Sequence, residues 1–290
     1  MTIQRIERVV YGVDDVERCT RFFEDFGLGP GLTTATGQVV ELRPLDDPAL
    51  PAAVEPGPGL REIVWGVREQ RDLERLHERL GSVTESGGVL HTTDETGFGV
   101  GFAVASVTPA EPAVPPANRL GEVRRWNRPL EPPGRVRPLR LCHVALNIPK
   151  EGREDAVAFY TRIGFRITDQ VLPMGTFLRA EGDHDQHTML LCHRPDRAGT
   201  NHTAYEVASF DEVITGANHM LDRGWREARK LGRHTVGSNV FRFLHAPCGG
   251  RVEYAADMDR VDDTYETRVH ETTPPHHLWT LTTNRDGDQS

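Results

Sequence analysis

RLCHVALNIPKEGREDAVAFYTRIGFR, residues 140–166, is the stretch that decides the fold, because its pattern occurs twice in the chain. It indicates an apolar strand, an acidic helix start, two adjacent aromatics and a glycine at the helix end. Residues 5–28, RIERVVYGVDDVERCTRFFEDFGL, repeat that order. A glycine just beyond a helix supplies the left-handed backbone that commonly ends it. The repeat predicts a strand–helix unit at the start of each half.

A second pair of stretches extends the duplication. REIVWGV and RDLERLHERLG (61–81) match NHTAYEV and DEVITGANHMLDRGW (201–225). Each half therefore has two strand–helix starts, each followed by strand-like segments. Duplication of this kind takes precedence over any local assignment. We predict an α+β fold of tandem βαβββ modules, with four units in two domains.

A proline-rich stretch separates the halves. Between Pro109 and Pro138 it holds Pro112, Pro115, Pro116, Pro129, Pro132 and Pro133. Proline has no amide hydrogen for a helix or central strand, so the stretch suits a surface connector. We predict an N-terminal domain over residues 1–135, a C-terminal domain over 136–260 and a polar tail over 261–290. The HHLWTL segment of the tail (276–281) can pack over a site mouth or a partner subunit, be disordered, or form a lid.

Composition narrows the class of protein. The 290 residues are 37% hydrophobic and 27% charged, which is typical of a soluble globular chain. No apolar run approaches a membrane span, and the N-terminus does not resemble a signal peptide. The net charge of -9 with scattered basic residues argues against nucleic acid, and the four separated cysteines suit reduced thiols. We expect a cytoplasmic protein with no nucleic-acid or membrane partner. GxGxxG and P-loop patterns are absent, so we expect no dinucleotide or ATP.

Three residues in strand-like segments could form a metal site. His143 lies in LCHVALNI, His202 in NHTAYEV and Glu253 in GRVEYAA. Side chains of a strand alternate between faces, so all three can point inward. Two imidazoles and one carboxylate can occupy one face of a metal and leave positions open, as in non-haem Fe(II) oxygenases. Zn(II) accepts the same ligands, so the donor set alone leaves the metal open.

The first half lacks these ligands. In the repeat, the position of His143 corresponds to Val9 or Val10, and that of His202 corresponds to Glu62. The strand of Glu253 corresponds to GFAVASV (101–107). The fold is duplicated but the candidate ligands are not. We therefore predict one metal site, in the C-terminal half.

Over roughly residues 1–260 the chain resembles the vicinal oxygen chelate superfamily and, within it, the two-domain type I extradiol ring-cleavage dioxygenases. The most specific part is GRHTVGSNVFRFLHAPCGGRVEY (232–254), which is similar to the family segment from a GRH histidine to the glutamate ligand. The resemblance implies Fe(II), with Mn(II) as an alternative, on His143, His202 and Glu253. It also implies that O2 and a catechol-like aromatic diol are the substrates and that the product is a ring-opened semialdehyde. We expect a homo-oligomer.

Two more histidines match the family by spacing. His187, 15 residues before His202, matches an acid–base and oxygen-stabilising histidine, and His234, 19 residues before Glu253, matches one that hydrogen-bonds a substrate hydroxyl. Imidazole titrates near neutrality, so it can accept and return a proton within one turnover. The alternative for His187 is a solvated residue in the polar run EGDHDQH, and the spacing favours catalysis.

Phe243 departs from the family pattern. The resemblance places a tyrosine against the substrate ten residues before the glutamate ligand, and a phenyl ring cannot replace its hydrogen bond. The chain could cleave its diol more slowly, bind a substrate with a different group there, or catalyse another metal-dependent reaction. Three rivals stand beside this function. They are a metal-dependent isomerase, lyase or thiol transferase, which would usually draw ligands from both modules, a metal-free small-molecule binding protein, and a purely structural duplicated domain.

Overall fold

The computed structural model describes residues 3–33, 40–42, 52–57, 59–105, 116–131 and 134–282. Part of the predicted connector (109–115 and 132–133) and the end of the predicted tail (283–290) lie outside the described residues. Residues 116–131 of the connector are exposed except at the half-buried Arg125, whereas Val136 and Pro138 near its end are buried.

Two helices and one mixed sheet form the N-terminal half. The elements are β1 (Ile3–Val13), α1 (Val16–Phe26), β2 (Leu32–Thr33), β3 (Val40–Leu42), β4 (Ala52–Pro56), β5 (Gly59–Val67), α2 (Gln70–Leu80), β6 (Thr84–Ser86), β7 (Val89–Thr93) and β8 (Gly99–Val104). The sheet order is β2-β3-β4-β1-β5-β8-β7-β6. Two βαβββ units therefore join along the antiparallel pair β1–β5.

The C-terminal half repeats this plan in a larger sheet. Its elements are β9 (Arg140–Pro149), α3 (Arg153–Ile163), β10 (Phe165–Val171), β11 (Gly175–Ala180), β12 (Met189–Arg194), β13 (Gly199–Glu206), α4 (Phe210–Asp222), β14 (Glu227–His234), β15 (Val240–His245), β16 (Arg251–Ala256), β17 (Arg268–His270) and β18 (His277–Thr280). The order is β17-β10-β11-β12-β9-β13-β16-β15-β14-β18. The four predicted βαβββ units are confirmed, and β17 and β18 extend the two sheet edges.

Capping residues set the ends of the paired helices. Asp15 accepts a hydrogen bond from the backbone of Arg18 at the start of α1. Gly27 ends α1 and Gly164 ends α3, each with a positive φ that residues with a Cβ rarely adopt. These are the glycines whose place in the repeat predicts the helix ends. Across the described residues, α4 is the longest helix at 13 residues, and no helix has the length and apolar character needed to cross a membrane.

One hydrophobic core joins the two halves. Phe26 of α1 stacks on Tyr254 of β16 with the ring centroids 3.9 Å apart, and the Tyr254 hydroxyl donates to the Phe26 carbonyl at 2.6 Å. The hydroxyls of Tyr11 and Thr203 are 2.8 Å apart. The N-terminal half thus supports β13 and β16, the strands that carry His202 and Glu253.

Candidate metal centre

His143, His202 and Glu253 meet at the centre of the ten-stranded sheet. His143 on β9 lies opposite Ala204 on β13, which lies opposite Glu253 on β16. The Nε2 atoms of the two histidines are 3.1 Å apart, and Glu253 Oε2 lies 3.3 and 3.4 Å from them. All three side chains are buried. The structure therefore brings together the three residues that the sequence singles out.

The donor atoms of this group fit a divalent metal ion. Glu253 Oε1 accepts a hydrogen bond from Asn239 at 3.0 Å, whereas the buried Oε2 makes none. Burial raises the pKa of Glu253 to about 8 and lowers that of His143 to about 3, so the protein alone disfavours charge here. A buried carboxylate oxygen without a hydrogen bond, facing two neutral imidazole nitrogens, is the environment that a cation satisfies.

Neighbouring side chains orient one of the candidate ligands. His202 Nδ1 lies 2.9 Å from Asn201 Oδ1, so Nδ1–H donates and the Nε2 lone pair points to the centre. Asn201 is itself held, because its amide nitrogen donates to Asn147 at 2.9 Å and Arg251 donates to its oxygen. This chain of hydrogen bonds fixes the ring of His202 before any ion binds.

His187 is buried beside the centre, just before β12. Its ring centroid lies 4.5 Å from that of His143, and Nδ1 lies 2.7 Å from Gln186 Oε1. Gln186 donates to Asp169 at 2.7 Å. The alternative of a solvated residue is wrong for His187, which is 4% exposed. Burial lowers its pKa, so the imidazole is neutral near pH 7.

His234 and Phe243 stand on the other side of the centre. His234 ends β14 and stacks on Phe241, with the ring centroids 4.1 Å apart. Phe243 is the cross-strand partner of Glu253, and its ring lies edge-to-face with that of His202 at 5.0 Å. Both line the same cavity as His143, His187 and His202. Glu253 lies behind the two ligand-like histidines and is not part of the cavity lining.

That cavity has a volume of about 290 Å³, at the lower end for ligand pockets. Met174, Phe177 and Leu190 supply apolar wall. Residues 273–276 of the predicted tail form another part, because β18 pairs with β14 and brings them to the mouth. Of the predicted segment 276–281, His276 lines the cavity, residues 277–280 form β18, and Leu278 and Leu281 are exposed.

A second histidine group occurs at this mouth. Single ligand atoms of His234, His276 and His277 lie within 4.8 Å of one another. However, Arg229 Nη1 lies 2.8 Å from His276 Nε2 and 3.4 Å from His277 Nε2. A guanidinium there opposes a second cation, so this group is better explained as a support for Arg229. Both candidate metal groups of the described residues lie in the C-terminal half.

Sequence reasoning missed several residues of the site. Asn201 and Gln186 each precede a predicted histidine, and Arg251 shares a strand face with Glu253, so adjacency and alternation could have found them. Asn239 and Arg229 have no such local signal, since only the folding of β14 and β15 brings them to the site.

Comparison with known proteins agrees with this geometry. Residues 140–254 match the family model of the Glyoxalase/Bleomycin resistance protein/Dioxygenase superfamily. Over 128 residues the chain is 37% identical to Metapyrocatechase 2 of Cupriavidus necator. That alignment covers 44% of this chain and 39% of the relative, so it spans about two fifths of that protein.

Solved structures match almost the whole chain. BphC, a halotolerant catechol dioxygenase, superposes with a TM-score of 0.77 at 17% identity, covering 98% of this chain and 96% of its own. The Mn(II)-bound glyoxalase of Novosphingobium aromaticivorans gives 0.72 at 23% identity, with 94% and 89% covered. At these identities the likeness establishes the fold, and the predicted vicinal oxygen chelate fold is confirmed across both halves.

Proposed function

We propose that this chain, whose residues 140–254 match the family model of the Glyoxalase/Bleomycin resistance protein/Dioxygenase superfamily, is an extradiol dioxygenase that opens a catechol-like ring with O2. The observation that carries the proposal is the buried His143–His202–Glu253 group, whose two histidines line a cavity together with His187 and His234. The product would be a ring-opened semialdehyde containing both atoms of O2.

The three ligands would hold Fe(II), or alternatively Mn(II). Such an ion supplies open coordination positions and the redox chemistry that joins a diol to O2. Glu253 contributes the one negative charge, and the hydrogen bond from Asn239 leaves its other oxygen for the ion. His202 enters with Nε2 oriented by Asn201.

His187 is the proposed acid–base residue. Its Nδ1–H donates a hydrogen bond to Gln186, so Nε2 is the nitrogen that can exchange a proton with a bound diol. A neutral ring accepts that proton first and returns it later. Because burial lowers the pKa of this imidazole, the ring is neutral at the start and returns an accepted proton readily.

His234 and the cavity walls would position the ring. His234 lines the cavity across from the ligands and would hydrogen-bond a substrate hydroxyl. Phe177 and Leu190 would pack against the aromatic ring of the substrate. The cavity volume of about 290 Å³ suits one such ring. Phe243 contributes a ring but no hydroxyl, so any polar contact must come from its neighbours.

The N-terminal half would serve as support. Among the described residues, Glu62, the counterpart of His202, pairs with His91 at 2.6 Å. We propose domains over 1–135 and 136–260, with only the second holding metal. Assembly as a homo-oligomer and a cytoplasmic location stay predictions.

Anaerobic purification with metal analysis, followed by O2 uptake against a panel of catechols, tests the proposal. We expect about one iron per chain, O2 consumption and a yellow ring-fission product. Metal-free protein that binds an aromatic ligand would instead indicate a binding protein. Metal-loaded protein that consumes no O2 with any catechol would indicate another metal-dependent reaction.

A further inference from the structure

Three polar side chains of the N-terminal half form a chain of hydrogen bonds. The hydroxyl of Ser86 on β6 lies 2.9 Å from His91 Nε2 on β7, and His91 Nδ1 lies 2.6 Å from Glu62 Oε1 on β5. A carboxylate only accepts, so in the neutral ring Nδ1–H donates to Glu62 and Nε2 accepts from Ser86. A hydroxyl, an imidazole and a carboxylate in this order are the arrangement of a serine nucleophile, its base and the group that orients the base.

This Ser86–His91–Glu62 group lies on the sheet face that corresponds to the candidate metal centre of the other half. In the repeat, Glu62 occupies the position of His202. Gly101 on β8 pairs with the residue two places after Glu62, just as Glu253 on β16 pairs with the residue two places after His202. His91 is the cross-strand partner of Gly101. The duplicated fold therefore places a carboxylate and an imidazole where its other copy has the candidate ligands.

Gly101 leaves the path between the carboxylate and the imidazole open. Strand β8 lies between β5 and β7, so the side chain of Glu62 has to cross β8 to meet His91. A Cβ at position 101 would lie 3.0 Å from both Cδ and Oε1 of Glu62, which is closer than an ordinary van der Waals contact. The glycine is therefore what lets the two side chains meet across a strand.

Exposure to solvent increases along the chain of hydrogen bonds. The side chain of Glu62 is 15% exposed and that of His91 is 30% exposed, whereas Ser86 is an exposed residue. A nucleophile has to be reached by its substrate, and a carboxylate shielded from water holds an imidazole more strongly. An ion pair that only stabilised the sheet would need no exposed hydroxyl on β6, which is the edge strand of this sheet.

The turn after Ser86 offers donors for a negatively charged oxygen. Gly87 and Gly88 join β6 to β7 with positive φ angles, and open space surrounds the position of a Cβ at each. Among the described residues, neither of their amides donates a hydrogen bond to the backbone. In serine hydrolases of another fold, the amide after the nucleophile donates to the oxyanion, and Gly87 occupies that place here.

We propose that Ser86, His91 and Glu62 form a second catalytic site, built from protein groups alone, that hydrolyses small carboxylic esters. Ser86 Oγ attacks the ester carbonyl while His91 Nε2 takes its proton, and the alcohol leaves with that proton. Water then attacks the acyl-serine, His91 passes a proton from the water to Ser86 Oγ, and the carboxylic acid leaves. Glu62 is the positioning residue for His91. The site gives the N-terminal half an activity of its own besides its support of the C-terminal half.

Labelling of the full-length protein with a fluorophosphonate, which reacts with activated serine hydroxyls, tests the nucleophile. We expect one adduct per chain, located at Ser86 by mass spectrometry of peptides. His91→Ala should slow the labelling by about 100-fold or more, because the hydroxyl loses its base. Ser82→Ala, at an exposed serine outside the group, is the control and should label at the wild-type rate. No adduct at Ser86, or equally fast labelling of His91→Ala, overturns the proposal.

Hydrolysis of p-nitrophenyl acetate measures turnover at the same site. Ser86→Ala should lower kcat/KM by about 100-fold or more, and Ser82→Ala should not change it. Glu62→Gln should lower kcat by about tenfold or more with KM little changed, because the imidazole loses its orientation and not its contact with the ester. A Glu62→Gln variant with the wild-type kcat would leave Glu62 a structural role and overturn its part in the proposal.

Two further measurements separate this site from the metal centre. Chelator-treated wild type should keep its ester hydrolysis, and Ser86→Ala should keep the O2 uptake of wild type with catechols. Thermal unfolding of each variant shows whether its fold is retained, as expected for substitutions at exposed or half-exposed positions. Equal ester hydrolysis by wild type and folded Ser86→Ala overturns the proposal and leaves the dioxygenase function untouched. Loss of ester hydrolysis on metal removal alone would also overturn it.

Discussion

Nδ1 of His187 lies 2.7 Å from the amide oxygen of Gln186, and this contact determines which nitrogen of the imidazole is left for the cavity. The amide group of Gln186 has only one compatible orientation, because its nitrogen must donate to the Asp169 carboxylate. Asp169 also accepts hydrogen bonds from Tyr265 and from His270 of β17. The polar C-terminal segment therefore helps to orient the proposed acid–base residue.

Gln186→Met tests this orientation. The variant keeps the length of the side chain but removes the acceptor for His187, so the ring loses its fixed tautomer. We expect kcat to fall about 10-fold to 100-fold, as for partners that orient site residues, with metal content and KM little changed. Gln70→Met, at an exposed glutamine of α2, is the control. A Gln186→Met enzyme with wild-type kcat would contradict the role.

A second pair of variants distinguishes the proposed metal ligand His202 from the proposed acid–base residue His187. His202→Ala removes one of three donors, so metal and activity should be lost together. His187→Ala should keep metal and substrate binding yet lose most turnover, by about 100-fold or more. Metal analysis and single-turnover kinetics check both. Full metal content in His202→Ala would remove His202 from the ligand set, and unchanged turnover in His187→Ala would remove His187 from the mechanism.

The buried carboxyl of Glu253 should make the stability of the metal-free protein depend on pH. Burial raises its pKa from the ordinary 4.5 to about 8, so the folded state retains a proton that the unfolded chain releases. The contribution of this group to stability therefore falls as the pH rises from 4.5 to 8. The side chain of Glu253→Gln does not titrate, so the variant is not destabilised in this pH range. The Tm of the variant minus the Tm of metal-free wild type should therefore be larger at pH 8 than at pH 5.

Calorimetry of both chelator-treated proteins at the two pH values measures this difference. Adding Fe(II) or Mn(II) back should raise the Tm of wild type and leave that of Glu253→Gln nearly unchanged. A Tm difference that does not grow with pH would show that the metal-free carboxyl is not held in an apolar environment.

Much of the fold follows from periodicity. The strand–helix pattern of residues 140–166 recurs at 5–28, and both copies form a central strand followed by a helix ending at a glycine. Alternation within a strand is also local, and it lets each of the three candidate ligands point inward. The choice of these three residues depends on the resemblance to the family.

The rest of the site depends on how strands pair. Arg229 enters the cavity where β14 shifts register against β15 on both sides of it, and no local pattern marks such a shift. The tail residues 273–276 reach the cavity only because β18 adds to β14. Asn239 contacts Glu253 across a turn, so its role depends on the whole β14–β16 arrangement.

Contact between the halves should be essential for stability. Phe26 is fully buried and stacks on Tyr254, one residue from Glu253. Phe26→Ala should lower the free energy of unfolding by about 3–5 kcal/mol, because it leaves a cavity. Phe210→Ala, at a phenylalanine that is 40% exposed, should change it by only about 0.5 kcal/mol. Chemical denaturation compares them, and equal effects would show that the halves do not depend on this contact.

Phe243→Tyr tests whether the missing hydroxyl limits the reaction. The ring is buried against His202 and lies near the guanidinium groups of Arg229 and Arg251, so a hydroxyl would face a polar environment. We expect the variant to retain its metal and its activity. A gain in kcat of about tenfold would mean that the chain cleaves its diol slowly for want of this hydrogen bond. An unchanged kcat would mean that a substrate group or a neighbouring side chain already fills that position. Loss of turnover with metal retained would contradict the expectation that this position accepts a hydroxyl.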